Sequence, residues 1–225
     1  MKPPKTVKIK VDKKILAANE EYAMKNKQLL GQNGILCFNM ISSPGSGKTA
    51  ILAKTITDLK GKIRIAVIEG DIKTDFDSKR ITAAGARAIQ INTEGACHLS
   101  AAQVNNAIER LPLDKLDIIF IENVGNLVCP SALELGEDFK IAVLSVAEGD
   151  DKPAKYPAIF AKSKVLLINK IDMLNTGIVD FDIERVRRDA GRLNKNIRIF
   201  EISAKTGNGM SCWYDWLQEM LKSRR

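Results

Sequence analysis

Residues 35–49 read I-L-C-F-N-M-I-S-S-P-G-S-G-K-T, an apolar run that leads into a short turn of small residues and ends in Gly-Lys-Thr. The apolar run is typical of a buried strand, and residues 50–59 behind it have the pattern of a helix. A strand that enters a tight turn and then a helix directs backbone N–H groups and the helix N-terminus at one point. The stretch therefore predicts a phosphate-binding loop at residues 42–49.

Two side chains of this loop have predicted tasks. In the pattern G-x-x-x-x-G-K-[ST] the lysine, here Lys48, reaches the β- and γ-phosphates, and the hydroxyl, here of Thr49, binds Mg²⁺. Ser42 stands where the pattern has its first glycine. A glycine-containing turn without a ligand is the alternative, and the strand and helix on either side disfavour it. We expect the phosphates to contact Pro44, Gly45, Ser46, Gly47, Lys48, Thr49 and Ala50.

The composition is that of an ordinary globular chain with a basic balance. At 225 residues the chain is long enough for one α/β domain whose core needs no disulfides. It has 35 Lys and Arg against 27 Asp and Glu, a net charge of +8. Because the basic residues are interleaved with acids and aromatic residues are sparse, the charge argues against a nucleic-acid partner.

Cysteine content and hydropathy indicate the compartment. The chain has four cysteines, no signal-peptide pattern, and no apolar run near the roughly 18 residues that a membrane span needs. We therefore expect a cytoplasmic protein without a membrane partner, in which the cysteines are thiols, thiolates or metal ligands.

Apolar segments alternate with helical patterns along the rest of the chain. Further strands are predicted at residues 62–68, 86–91, 116–121, 141–146, 165–168 and 197–202. Helices are predicted at residues 99–110, 153–161, 182–193 and 212–221. This alternation predicts the α/β fold of a P-loop NTPase, with a mostly parallel, doubly wound sheet of about seven strands flanked by helices.

Two strands end in acids on the side where ligands bind. Glu122 follows one strand, whereas Asp117 lies at the opposite end of the same strand, and Asp71 follows another. Open α/β sheets bind ligands at the carboxyl ends of their strands. Asp71 and Glu122 are therefore predicted to hold Mg²⁺ or its waters, and together with Lys48 they are the catalytic candidates.

The segment after Glu122 is predicted to detect the γ-phosphate. Gly125 would offer an unhindered backbone N–H to that phosphate, so residues 123–127 could change position with its presence. Asp75 and Asp77 follow Asp71 on a short segment that resembles a switch, and helix-capping carboxylates are the alternative for both.

Two loops predict that the base is guanine. Asn169, Lys170 and Asp172 end the strand at 165–168, and Asp172 can accept two N–H donors from guanine, which adenine cannot supply. Asn169 and Lys170 are expected to brace the loop and flank the base. A second base loop is expected at the end of the last strand, from Ser203, Ala204 and Lys205, so that the predicted ligands are GTP and GDP.

The chain divides at the start of the first strand. Residues 1–14 are rich in lysine and carry two prolines, which predicts a solvated arm, and residues 14–30 have helical spacing that ends at Gly31 and Gly34. We expect a basic N-terminal arm and leading helix at residues 1–31, and a P-loop GTPase domain at residues 32–225.

Three soft donors stand near the predicted γ-phosphate segment. Cys97 and His98, the only histidine, are adjacent in a loop, and Cys129 follows Gly125 by a few residues. Thiolate and imidazole suit Zn²⁺ or Ni²⁺, and three donors leave one position for water or a second subunit. The alternative for these three residues is a structural histidine and buried thiols. The other two cysteines, Cys37 and Cys212, we interpret as core residues.

Five stretches together resemble the nickel-insertion GTPases of hydrogenase maturation, the HypB family, from the leading helix onward. The stretches are residues 42–49, 94–99, 122–130, 148–151 and 169–172. The resemblance implies a homodimer, favoured by GTP, that binds nickel or zinc through Cys97, His98 and Cys129. It also implies transfer of nickel to the large subunit of a [NiFe] hydrogenase, with a metallochaperone partner of the HypA type.

One residue is carried over from the resemblance, and one family feature is missing. Lys155 matches the family's lysine that reaches the nucleotide of the other subunit. Many bacterial members begin with a cysteine-containing nickel motif, which residues 1–14 lack, so transient transfer is expected rather than tight storage. The related family that serves urease is marked by a Cys-Pro-His motif, which does not occur here.

Rival functions remain open at this point: a signalling or scaffold GTPase with structural Cys and His, a urease-type nickel accessory GTPase, and a small-molecule kinase on the same phosphate loop. The guanine loops argue against the kinase. Asn126 follows Gly125 where small signalling GTPases often have a glutamine, so we expect slow GTP hydrolysis.

Overall fold

The computed structural model describes residues 13–71 and 76–224. The predicted basic arm, apart from its last two residues, lies outside the described residues, and so does Asp75.

A parallel sheet forms the centre of the molecule. Within the described residues it has seven strands in the order β3-β2-β4-β1-β5-β6-β7, and every neighbouring pair is parallel. The predicted doubly wound sheet is confirmed, strand for strand. The strands are β1 Leu36–Ser42, β2 Ile65–Asp71, β3 Arg87–Asn92, β4 Ile118–Glu122, β5 Phe139–Ser145, β6 Ser163–Asn169 and β7 Arg198–Glu201.

Helices cover both faces of this sheet. They are α1 Lys13–Gln32, α2 Lys48–Asp58, α3 Phe76–Ala84, α4 Ala101–Ile108, α5 Cys129–Ala132, α6 Lys152–Lys155, α7 Pro157–Lys162, α8 Ile183–Leu193 and α9 Met210–Arg224. The prediction of a single helix at residues 153–161 is wrong, because this stretch forms two helices, α6 and α7. Tyr156 leaves the helical region because it precedes Pro157, whose ring disfavours that conformation in the residue before it.

Strand β1 contributes to the core on both sides of the sheet. Phe38 and Met40 pack on one face with Trp213 and Trp216 of α9, whereas Cys37 packs on the other face with α1 and α4. Residues buried on both faces explain why the strand reads as a continuous apolar run. The prediction that Cys37 is a core residue is confirmed, since its side chain is buried.

Cys212 is a correction, because the structure shows it exposed rather than in the core. The buried positions of α9 are Met210, Trp213, Trp216 and Leu217, which form one stripe toward the sheet. Cys212 precedes Trp213 by one residue and is therefore rotated about 100° around the helix, outside that stripe.

The register of the sheet brings acids to one edge. In β4, Glu122 is paired with Met40 of β1 on one side and with Glu69 of β2 on the other. Asp117 lies before β4, at the opposite edge, where its carboxylate holds the Arg64 guanidinium at 2.9 Å. The carboxyl edge beside β1, where the strand order reverses, is where a doubly wound fold forms its binding crevice.

Candidate functional site

The phosphate loop is closed by close contact with the loop after β6. Gly47 precedes α2 with φ of 95°, and a Cβ atom there would lie 2.5 Å from Asn169 Nδ2, so both backbone conformation and space require glycine. Asn169 Nδ2 donates to the Ser46 carbonyl at 2.9 Å, and Lys170 Nζ donates to the Gly45 carbonyl at 2.8 Å. The structure thus places the two predicted nucleotide loops against each other.

Ser42 has a specific partner in this loop. The Lys48 ammonium is buried and donates to Ser42 Oγ at 2.8 Å, and burial lowers the pKa of Lys48. A glycine at position 42, as in the usual pattern, could not accept this bond. The departure from the pattern therefore supplies a resting position for the lysine, inside the loop that it would leave to reach a phosphate.

A cavity of about 530 Å³ opens in front of the loop and holds the predicted acids. Its lining includes Lys48, Thr49, Asp71, Glu122 and Gly125. Thr49 Oγ1 donates to Glu122 Oε1 at 2.8 Å, which joins two of the three predicted magnesium ligands. The lining also includes Asp77, in the first turn of α3, so this acid is both at a helix start and at the edge of the cavity.

Glu69 is a further candidate site residue, which the sequence pattern does not single out. It lines the same cavity, and both Glu69 Oε1 and Glu122 Oε2 are buried without a hydrogen-bond partner among the described residues. Burial raises the pKa of Glu69 to about 8 and that of Glu122 to about 7. Carboxylate oxygens beside a hydroxyl suit Mg²⁺, so the donors fit that ion. The signal in the sequence was the E-G-D at the end of β2.

Replacement of Glu69 by glutamine should stabilise the protein when nucleotide and metal are absent. The pKa of Glu69 is about 8 when folded against an ordinary value of 4.5, so the folded state holds a proton that the unfolded state releases between these values. Stability is therefore lost as pH rises through that window, by up to a few kcal/mol. Thermal melts in chelator should show Glu69→Gln several degrees above the parent at pH 8 and near it at pH 5. An equal difference at both pH values would contradict this assignment.

The sensor segment, residues 123–127, packs directly on the phosphate loop. A Cβ atom at Gly125 would lie 2.9 Å from the backbone N and Cα of Pro44. Only glycine permits this approach, because any side chain would push the sensor segment away from the loop. The predicted γ-phosphate detector is thus in contact with the loop that would hold the phosphate.

Side chains also join the two predicted base loops. Ser203 Oγ donates to Asp172 Oδ1 at 2.6 Å, and the Ala204 N–H donates to Asn169 Oδ1 at 3.2 Å. Lys205 is exposed next to them. The two predicted base loops thus contact each other beside the phosphate loop. Of their residues, Lys170 lines the cavity, whereas Asp172 and Ala204 do not, and the choice of guanine stays a prediction.

The three soft donors lie together. The sulfurs of Cys97 and Cys129 and an imidazole nitrogen of His98 are within 4.8 Å of one another, the one such His, Cys and acid cluster in the part of the chain that is described. The Cys129 thiol beside Cys97 raises the pKa of Cys97. Cys97 and His98 lie in the loop before α4, and Cys129 is the first residue of α5. The cluster is therefore the point where this loop meets the start of α5.

Lys155 lies apart from these groups. It is exposed on α6, pairs with Asp151 at 2.6 Å, and is not among the residues that line the cavity. The structure therefore does not bring Lys155 to the nucleotide site of its own chain. No helix in the described ranges is both long and apolar enough to span a bilayer.

Comparison of the sequence with known proteins identifies one family. The model of the CobW/HypB/UreG nucleotide-binding domain matches residues 36–201. The hydrogenase maturation factor HypB of Rhizobium leguminosarum bv. viciae is 48% identical over 210 residues, which cover 93% of this chain and 70% of that protein.

Solved structures show the same likeness. HypB from Helicobacter pylori, in a crystal structure in complex with nickel, superposes with a TM-score of 0.86 at 37% identity, covering 92% of this chain and 96% of that one. HypB from Archaeoglobus fulgidus gives a TM-score of 0.85 at 34% identity, covering 92% and 100%. On the strength of this identity and of the shared fold, the chain belongs to the HypB family of hydrogenase maturation factors.

Proposed function

We propose that this protein is a GTP-hydrolysing metallochaperone that binds nickel or zinc and assists nickel insertion into the large subunit of [NiFe] hydrogenase. One observation carries the proposal: Gly125, in contact with the phosphate loop, and Cys129, one of three clustered soft donors, belong to the same short stretch of chain. The residue that would respond to the nucleotide phosphate, Gly125, is therefore only four positions from a metal ligand, Cys129.

The nucleotide half of the proposal uses the base and phosphate loops. Asp172 would accept from the guanine N–H groups, and the Lys205 stem would lie on the ring. The Ala204 N–H, which donates to Asn169 Oδ1 here, would turn to the guanine oxygen. Lys48 would exchange Ser42 for the β- and γ-phosphates, and the Gly125 N–H would contact the γ-phosphate.

Four oxygen-bearing side chains would hold magnesium. Thr49, Asp71 and Glu122 are the predicted set, and the unpartnered oxygen of Glu69 adds a carboxylate beside them. When bound, Mg²⁺ would neutralise charge on the phosphate oxygens. Thr49 and Glu122 are already joined by a hydrogen bond, so the chain holds these two ligands in place before the ion arrives.

The metal half treats nickel or zinc as cargo. Cys97, His98 and Cys129 supply three donors, and a fourth from water or a second copy of the chain would complete the shell. We propose a homodimer favoured by GTP, with Lys155 reaching the nucleotide of the other subunit and a HypA-type partner assisting transfer in the cytoplasm. The nickel-bound HypB of Helicobacter pylori supports nickel as the cargo.

We propose that residues 1–31 form a leading segment and residues 32–225 the GTPase domain. The leading helix α1 is held to the domain by Asn26, whose Nδ2 donates to the carbonyls of Ala101 and Leu135 at 2.9 and 2.8 Å. These buried bonds support α1 as part of the packed structure.

Hydrolysis and metal binding test the proposal together. The protein purified without chelator is expected to hydrolyse GTP at least about tenfold faster than ATP, because the base loops reject adenine. Turnover should fall below the roughly 1–10³ s⁻¹ of typical enzymes, since the side chain after Gly125 is an asparagine that bonds elsewhere. The same sample should bind Ni²⁺ or Zn²⁺ at no more than one ion per chain. Faster ATP hydrolysis would favour a kinase, and absence of metal binding would favour a signalling GTPase.

A further inference from the structure

Two asparagines of the sensor segment hold the loop that carries Cys97 and His98. Asn123 Oδ1 accepts from the Leu99 N–H at 3.2 Å, and Asn126 Nδ2 donates to the Cys97 carbonyl at 3.3 Å. The two bonds lie on either side of His98. The metal-donor loop is therefore attached to the sensor segment at two points.

Asn126 also reaches the third donor. Its Oδ1 accepts from the Val128 N–H at 2.9 Å, directly before Cys129 opens α5. One side chain thus bonds the backbone beside Cys97 and the backbone beside Cys129. Movement of Asn126 would therefore change the separation of the Cys97 and Cys129 thiols, whose neighbouring backbone groups it bonds.

Asn123, in contrast, is fixed from behind. It is 2% exposed, and its Nδ2 donates to Asn39 Oδ1 at 3.2 Å in the centre of the sheet. Asn39 in turn donates to Glu137 at 3.0 Å, and Glu137 is paired with the buried Lys140 at 2.7 Å. A buried polar network whose members are joined in this way is rigid.

The two asparagines therefore differ in what they can do. Gly125 lies between them in sequence and packs on Pro44. A γ-phosphate bound there would accept a hydrogen bond from the Gly125 N–H and move it. Asn123 is held by the sheet, so a shift at Gly125 must be taken up on the other side, at Asn126. The metal-donor loop would then be held at one fixed and one moving point.

We propose that Asn126 is the positioning residue that couples the nucleotide state to metal affinity, with Asn123 as its fixed counterpart. This inference rests on the proposed function and deepens it. By thermodynamic linkage the coupling is reciprocal: the factor by which a GTP analogue changes metal affinity equals the factor by which metal changes affinity for the analogue.

The test is a binding cycle on the full chain. Zn²⁺ affinity is measured by competition with a chromophoric chelator in the presence of GDP and of a non-hydrolysable GTP analogue, and nucleotide affinity is measured with and without Zn²⁺. The parent is expected to show a ratio of at least about fivefold between the two nucleotide states, equal in both directions. Asn126→Ala should bind both ligands with the ratio reduced below about twofold.

Two further variants sharpen the result. Asn126→Asp keeps the acceptor for Val128 but loses the donor to the Cys97 carbonyl, so it should also lose the ratio. Asn92→Ala is the matched control, because Asn92 Oδ1 accepts from the Glu94 N–H at 3.0 Å in the loop that leads to Cys97. It should keep the parental ratio.

Each other outcome overturns the inference in a recognisable way. If Asn126→Ala lowers Zn²⁺ affinity equally in both nucleotide states, Asn126 only supports the loop. If the parent binds Zn²⁺ equally well with GDP and with the GTP analogue, there is no coupling, and this inference fails while the proposed metal and GTP binding are retained. A parent that binds GTP but no metal would overturn the proposed function and this inference with it.

Discussion

Replacement of both Cys97 and Cys129 by serine is expected to weaken Ni²⁺ and Zn²⁺ binding by more than about a hundredfold. The double variant removes two of the three clustered donors, and a serine hydroxyl is a poor ligand for these metals. GTP affinity should be unchanged, because neither residue lines the nucleotide cavity. Calorimetric titration of the parent and the variant with each ligand measures both effects.

The structure gives this prediction a matched control. Cys212 is an exposed thiol on α9, so Cys212→Ser removes a sulfur without touching the cluster and should leave metal binding as it is. Stability is not expected to confuse the result, since Cys97 is exposed and Cys129 is only partly buried. Metal titration curves of the double variant that coincide with those of the parent would refute the metal assignment.

The second large effect is expected at Asp172. The variant Asp172→Asn would present an amide donor where guanine needs a second acceptor, so about two charge-assisted hydrogen bonds are lost. GTP affinity should fall by about a hundredfold or more. Xanthosine triphosphate, which carries an oxygen in place of the guanine amino group, should gain affinity because it can accept from the new amide.

Competition with a fluorescent guanine nucleotide measures this change for GTP, xanthosine triphosphate and ATP. Asp180→Asn is the control, because Asp180 is an exposed carboxylate near the same loop for which no contact with the base is predicted. The fold should tolerate Asp172→Asn, since an amide oxygen can still accept from Ser203 Oγ. A variant with unchanged preference for GTP over ATP would show that Asp172 does not read the base.

The seven strands and the nucleotide loops can be predicted because their signals are local. A strand buried on both faces reads as an apolar run, and a phosphate loop needs Gly47, Lys48 and Thr49 at fixed spacing. The short elements are less accessible. Helices α3 and α5 are absent from the predicted set, since a four-residue helix such as α5 has no periodicity to detect.

The errors have a common physical origin. Two tryptophans follow Cys212 and suggest a buried thiol, yet its exposure depends on which stripe of α9 faces the sheet. Glu69 escapes prediction because its neighbour Asp71 satisfies the same expectation. Glu69 becomes a candidate ligand because it is paired with Glu122 of the neighbouring strand. A pairing between strands cannot be read from a local sequence pattern.

The sequence by itself determined the class of fold and the identity of the three clustered soft donors, and it predicts the phosphate loop and the base loops, because each depends on residue types at short spacing. Tertiary structure alone decided how these parts are connected. The contact of Gly125 with Pro44 and the bonds of Asn123 and Asn126 to the loop of Cys97 join residues that are far apart in the chain. Such contacts arise from the order and register of parallel strands, which bring distant loops to one edge of the sheet.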